Sequence, residues 1–492
     1  MHNTRLLACV GVFALLGLFG LPTASLGQAA PPPAPAATTS DINPVVTCNV
    51  TPDTVPNSNP VEATPVTADL LASGQPCDRV SNLPAMFPGD NLRTLQHSFD
   101  FYSWLTFIAL NSPADGGHIG PNVRTQWEDI RNYRQLGNVM LPNGATPTWG
   151  TKPPLPKECE GKGSPDDMVV ILEEETFNQP FKSGPLIDQN GHYGLFDILM
   201  NKPMFDYMLA HKLYSVEGQR TFKETVEFPS GNSPDFKATH PSPGNPGHMG
   251  AVMIKVSWKI MDPVKDRDRT DTFHTVDALV YFPGPQKDGS GTKTGPACVR
   301  EKLGMIGFHV GHKTDFAPQW IWTTFEHVKN APDQRNVDAG KFDPPYNFFN
   351  AACRDCPVNQ VPEVQPWDPN TSLTFPGGFK SQITRVEPIL KEAVTLNDAF
   401  RKALAGTVWE NYELVSTQWP SNLACVRDPK IQETDQTCAP TPAQLANSTL
   451  ETFSQGGVPI ASSSCMACHN DATTKGIPAV TSDFTFMLEK AH

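Results

Sequence analysis

The sequence predicts an α+β fold: a central antiparallel β-sheet flanked by helices, with a short C-terminal segment packed on that body. Three observations carry the expectation. Helical periodicity marks both ends of the body, in "SFDFYSWLTFIALN" and again after residue 390. Between them, apolar and polar residues alternate at the period of a strand. Four such runs follow one another through short polar loops, which implies antiparallel pairing.

At 492 residues the chain is long enough for more than one domain and a large core. Hydrophobic residues at 39% and charged residues at 18% mark a globular protein, and 49 prolines, about twice ordinary usage, a loop-rich one. The formal net charge of -13 argues against nucleic acid and anionic membranes as partners.

The opening residues have the form of a secretory signal: Arg5, an apolar run from Leu6 to Leu21, then the small residues of "TASLGQAA". Cleavage near Gly27 or Ala29 assigns residues 1–27 to it. The apolar run is slightly short of the roughly 17–25 residues a membrane span needs, although an uncleaved anchor stays open. No later segment reads as a span, so a mature, exported, periplasmic chain is expected. Residues 28–75, rich in Pro, Ala, Thr and Asn, predict a flexible leader. The α+β body then covers 76–420, and a helical C-terminal segment 421–492.

Within the body, Phe101, Trp104, Leu105 and Ile108 recur at helical spacing, with Ser98 or Asp100 as the starting cap. A second helix is expected from Pro203 through Met204, Phe205, Met208 and Leu209, its Met and aromatic stripe facing a core. "MVVIL" (168–172) is a short buried strand. In "AVMIKVSWKIM", Val252, Ile254, Val256, Trp258 and Ile260 face one way and Lys255, Ser257 and Lys259 the other. "DTFHTVDALVYF" is the next strand. A hairpin follows, one strand running to His312, a turn containing Pro318, and a second strand from Gln319. After 390, Leu396, Phe400 and Leu404 form a helical stripe that Val408, Tyr412 and Val415 continue. "TPAQLANSTLETFSQ" reads as a last helix capped by Thr441.

Export decides how the cysteines are read. Without Cys9 ten remain, and an even number in an oxidising compartment favours disulfides. Short loops make Cys48 with Cys77 and Cys425 with Cys438 natural pairs, although connectivity is not fixed by sequence. Cys465 and Cys468 stand apart, because "SSSCMACHND" places them with His469 in the spacing C-x-x-C-H, the attachment site of a c-type haem. Two thiols reach two vinyl groups on one macrocycle edge, and the next residue swings its imidazole under the iron. Composition alone predicts roughly 0.006 such matches. A zinc knuckle needs a second ligand pair nearby. The only other C-x-x-C, Cys353 and Cys356 in "CRDCP", is over a hundred residues away and lacks the histidine. A redox dithiol needs a thioredoxin-like setting that nothing here suggests.

The motif and its flanks resemble c-type cytochromes, residue for residue at Cys465, Cys468 and His469. "FYSWLTFIALN", "FHVGHKTDFAPQWIWTTFEHV", "NYELVSTQWP" and "SCMACHNDA" together resemble a poorly characterised bacterial group of exported cytochrome c family proteins. The resemblance implies one covalent haem c, two thioether anchors and a proximal iron ligand at His469, and no defined substrate. Only 23 residues follow His469, too few to wrap a haem, so the body is expected to cover it.

The sixth iron position has several candidates. Met487 lies eighteen residues past His469 and either folds back onto the iron or joins Phe484, Phe486 and Leu488 in a core. His309 and His312, at i and i+3 on one strand, point to opposite faces and cannot both serve. His309 shares its face with Gly307 and Gly311, with Trp320 or Trp322 expected opposite; the alternative is a core histidine. Neighbouring Glu326 and His327 form at most a weak acid–base pair. The function expected is one-electron transfer to a redox partner protein. The alternatives are a periplasmic oxidoreductase with an open haem, for which His309, His312 and Trp322 are distal candidates, and a haem sensor or binding module.

Overall fold

The computed structural model describes residues 47–48, 79–80, 92–114, 123–180, 183–230, 249–284, 286–287, 293–314, 319–365, 373–376, 378–420, 440–444, 447–455 and 464–492. The signal sequence, most of the leader, Cys77, Cys425, Cys438 and the side chain of Cys48 lie outside the described residues. Among the described residues no helix is long and apolar enough to cross a membrane.

The body is built on a nine-stranded sheet: β1 (Tyr133–Gln135), β2 (Met168–Ile171), β3 (Leu195–Asn201), β4 (Val252–Ile260), β5 (Thr275–Phe282), β6 (Ala297–Lys313), β7 (Trp320–His327), β8 (Tyr412–Pro420) and β9 (Pro440–Thr441). The helices are α1 (Leu92–Leu110), α2 (Lys202–Ala210), the short α3 (Val216–Thr221) and α4 (Gln334–Asp338), α5 (Lys391–Ala403) and a single turn, α6 (Cys465–His469). The α+β expectation holds, with spatial order β9-β8-β7-β6-β4-β3-β1 and β5 and β2 branching from β6. All pairings in the sheet are antiparallel except β2 with β5.

The consecutive strands β4 and β5 do not pair with each other. The reason is the length of β6, seventeen residues, which serves three partners. β5 pairs along Ala297–Gly304 and β7 along Gly307–Lys313 on one edge, while β4 takes the other edge from Leu303 to His312.

Both faces of this sheet are covered at β4. Ser257 and Lys259 are 0% and 2% exposed, so the polar side of that strand is interior too. On the first face, Phe308 and Phe325 pack on Phe107 of α1, and Trp104 stacks on Phe400 of α5 at 4.8 Å. The Trp104 indole N–H donates to Asn397 Oδ1 at 2.9 Å, tying the two helices together. On the second face, α2 contributes Met204, Phe205 and Met208 to a core shared with Met253, Trp320 and the last residues of the chain. Asn201 caps α2 by accepting from Met204 N, and Pro203 occupies its first turn as expected.

α1 starts at Leu92, so Ser98 and Asp100 lie inside it rather than capping it. Asp100 is 1% exposed. Burial pushes its carboxyl up to about 7, against the opposing hydrogen bonds from Thr417 and Gln96. A raised folded-state value means stability is kept while the carboxyl stays protonated and is lost as pH climbs from about 4 through about 7, by up to about 4 kcal/mol in that window. Urea titrations at pH 5 and pH 8.5 are therefore expected to show Asp100→Asn gaining more on wild type at the higher pH.

Two C-terminal stretches expected to be helical, the continuation of α5 past Gly406 and the segment 441–455, are not α-helical among the described residues. Gly406, at φ 85°, follows α5, and after a turn at Val408–Asn411 the chain enters strand β8. Tyr412 and Leu414 thus serve a sheet that offers β7 a partner. Likewise Thr441 sits in β9, and residues 447–455 form a loop. Polar side chains capture its backbone there: Glu326 Oε1 accepts from Ser448 N and Thr449 N, and Asn447 Oδ1 from Thr449 N and Leu450 N.

The Cys159–Cys298 disulfide staples the turn at residues 157–159 to the start of β6 across 139 residues. Cys159→Ser/Cys298→Ser is expected to lower unfolding stability by about 2–4 kcal/mol in denaturant titration. A second disulfide closes Cys353–Cys356.

Candidate functional site: a cavity between the C-terminal segment and the sheet

α6 is the C-x-x-C-H motif itself. Ser464 caps it, Oγ accepting from Ala467 N at 3.2 Å, and Gln418 of β8 accepts from Met466 N at 2.8 Å. Met466, 2% exposed, anchors the turn in the core with Phe484 and Leu488. Residues three apart on a helix share a side, so Cys465 and Cys468 are presented together, half-buried and unbonded. The other C-x-x-C of the chain is closed.

His469 is held in place by the hairpin-like stretch around Phe484. Its Nδ1–H donates to Phe484 O at 2.8 Å, so the Nε2 lone pair is the one left for a metal. Trp322 lies 4.5 Å from the imidazole and Phe486 5.2 Å, centroid to centroid. Asp483 and Phe484 hold left-handed backbone, at φ 52° and 61°, a strained state for side-chain-bearing residues. The compensation comes from the sheet: Asp483 Oδ2 accepts from buried Lys313 Nζ at 2.6 Å and Phe228 N at 2.7 Å, and Asp483 O accepts from Trp320 Nε1. The β6–β7 hairpin thus places the carbonyl that orients His469.

Cys465, Cys468 and His469 line one cavity of about 430 Å³, within the roughly 300–1,000 Å³ usual for cofactor sites. Its walls come mainly from the body: Leu136, Ile198, Met253, Gly311 and Trp322 form the apolar part, with Phe486 and Met487 from the C-terminal segment. Among sites expected from sequence, His309 and Trp322 line it, and so does Met487, which is 4% exposed. His312 does not belong to it. It lies on the opposite sheet face, Nδ1 hydrogen-bonded to Tyr102 Oη of α1 at 2.5 Å. Thr324, not a tryptophan, stands opposite His309 and bonds its Nδ1 at 2.9 Å, while Trp322 pairs with Gly311. Nor are Glu326 and His327 an acid–base pair. Glu326 bonds Arg385 at 3.1 Å, whereas His327 stacks on Phe273 at 4.0 Å, its imidazole driven down to about 3 by burial.

Sequence reasoning missed the polar wall of the cavity. Lys255 Nζ donates to Glu451 Oε1 at 2.8 Å, His309 Nε2 bonds Glu451 Oε2 at 2.8 Å, and Asn447 Nδ2 donates to the same oxygen. Strand alternation puts Lys255 on the polar face of β4 and the local pattern puts Glu451 in a helix; no local signal connects residues 196 positions apart.

Electrostatics decide what this site suits. Burial pushes the Cys468 thiol up to about 12 and Cys465 well above the usual range, with Glu451 reinforcing both. Such thiols are not the activated thiolates of a dithiol oxidoreductase. Burial pulls the His469 imidazole down to about 4, leaving it neutral, as an iron ligand must be. Among the described residues no group of three or more His, Cys, Asp and Glu converges on a point, whereas structural zinc takes four ligands. The buried Trp322 Nε1–H lacks a hydrogen-bond partner among the described residues, although its ring lines the cavity. Paired thiols, an oriented neutral imidazole, apolar walls and an orphan donor together fit a covalently held haem.

No family model, no curated protein and no solved structure matches the chain.

Proposed function

We propose that the chain is an exported mono-haem c-type protein that transfers one electron at a time to or from a redox partner protein. Cys465 and Cys468 are the thioether anchors and His469 the proximal ligand. The observation that carries this reading is that all three line one apolar cavity, with the imidazole tautomer set by Phe484 O. A bound haem would supply an Fe(III)/Fe(II) couple there, and the apolar lining from Ile198, Met253 and Trp322 would limit its contact with water. The disulfides and the signal-like N-terminus support a periplasmic location, where haem c is attached.

The test is direct. Protein from a host competent in cytochrome maturation is expected to be coloured, to weigh one haem more than its cleaved polypeptide, and to give a pyridine haemochrome of the two-thioether type. Colourless protein of unmodified mass would falsify the reading.

A further inference from the structure

Lys255 is one of two lysines in the wall of a largely apolar cavity; Lys490 pairs with Glu174 at 3.5 Å, and a structural clamp is the ordinary explanation for Lys255. Loop 447–455 has other fastenings, however: Glu326 holds Ser448 and Thr449, Asn330 bonds Thr449, and Gln179 bonds Thr452. Holding two ions beside apolar surface costs several kcal/mol each before their attraction is counted, and well-packed apolar side chains often do a clamp's work as well or better. The cluster is also more elaborate than a clamp requires. Glu451 accepts from Lys255, His309 and Asn447 at once, and Thr324 holds the far side of His309.

The arrangement keeps one proton donor charged in the cavity wall. An ammonium carries three N–H groups; Lys255 makes one hydrogen bond among the described residues, to Glu451, with Phe196 5.0 Å beneath it. Burial opposes the charge on Lys255, yet Glu451 and Glu175 outweigh it and hold the lysine above its ordinary value. Glu175 and Glu489 line the same cavity, so three carboxylates face the space beside two lysines, and the excess negative charge disfavours an anionic occupant. Met487 belongs to the stretch already tied to His469 through Phe484 O and the Phe486 ring, and packs with Met466 and Leu488.

Resting on the haem reading above, we propose that the sixth iron position is left to a small neutral oxidant, hydrogen peroxide, and that Lys255 donates the proton to its departing oxygen. Glu451 and His309 are positioning residues for Lys255. In the step the O–O bond breaks and each oxygen leaves as water. The bound haem would supply the two electrons one at a time, re-reduced by a one-electron donor protein. Two protons are taken up, the first from Lys255, which solvent reprotonates.

The experiment uses the haem-loaded full chain, with loading established by pyridine haemochrome. Ferrous wild type is expected to bind carbon monoxide and to be oxidised by hydrogen peroxide at two haems per peroxide in stopped flow. Lys255→Met is expected to slow that oxidation roughly 10²-fold and to raise the C–O stretching frequency of the carbon monoxide complex, while Lys255→Arg stays within a few-fold of wild type. Loaded protein that binds carbon monoxide only after Met487→Ala overturns the inference and leaves the haem reading standing. So do an unchanged rate and frequency in Lys255→Met. Protein without haem overturns both.

Discussion

Cys465→Ser/Cys468→Ser protein, made beside wild type in a maturation-competent host, is expected to carry no covalent haem at all. The loss is complete rather than graded, because among the described residues no other cysteine lines this cavity and the other C-x-x-C is closed as a disulfide. Single replacements are the informative intermediates. Each leaves one thioether and one intact vinyl group conjugated with the macrocycle, so the haemochrome band moves to longer wavelength while the mass keeps one haem. The fold should survive, since both cysteines are only half-buried and Met466, Ser464 and Gln418 hold the turn. Far-ultraviolet circular dichroism checks this. A double variant that still runs as a covalent haem protein would remove the assignment of both residues.

Arg385→Met is expected to cost about 3–5 kcal/mol of unfolding stability, the largest effect for a residue outside the cavity. Arg385, 5% exposed, bonds Glu326 and Glu413 at 3.1 Å each and Asp333 at 3.3 Å. Glu326 is completely buried, and its other oxygen holds the loop that leads to Glu451. Removing the guanidinium leaves an uncompensated carboxylate where water cannot reach it, and burial already pushes Glu413 up. The double variant Glu326→Gln/Arg385→Met should recover part of the loss in a double-mutant cycle. A single variant within about 1 kcal/mol of wild type in urea titration would show that the network relaxes or hydrates instead.

How far each feature was legible depends on the range over which it is written. The hairpin β6–β7 was readable because alternation and a turn lie in one short stretch, and the opposite facing of His309 and His312 comes from the strand period alone. α2 carried its own signals in Pro203 and the apolar stripe. The stripe through Val408, Tyr412 and Val415 misled because a short apolar run satisfies helix and strand alike, and here the free edge of β7 decided between them. Residues 447–455, the described end of the expected helix, failed for another reason: Glu326, more than 120 positions earlier, takes backbone N–H groups a helix would use.

By itself the sequence determined the C-x-x-C-H spacing and the layout of helices around strands, because each is encoded in residue spacing over a few positions. Tertiary structure alone decided that Lys255, His309 and Glu451 meet beside Cys465, Cys468 and His469. Whether an interior polar residue is bonded or exposed depends on which distant strand covers it, and composition and local period carry no record of that neighbour.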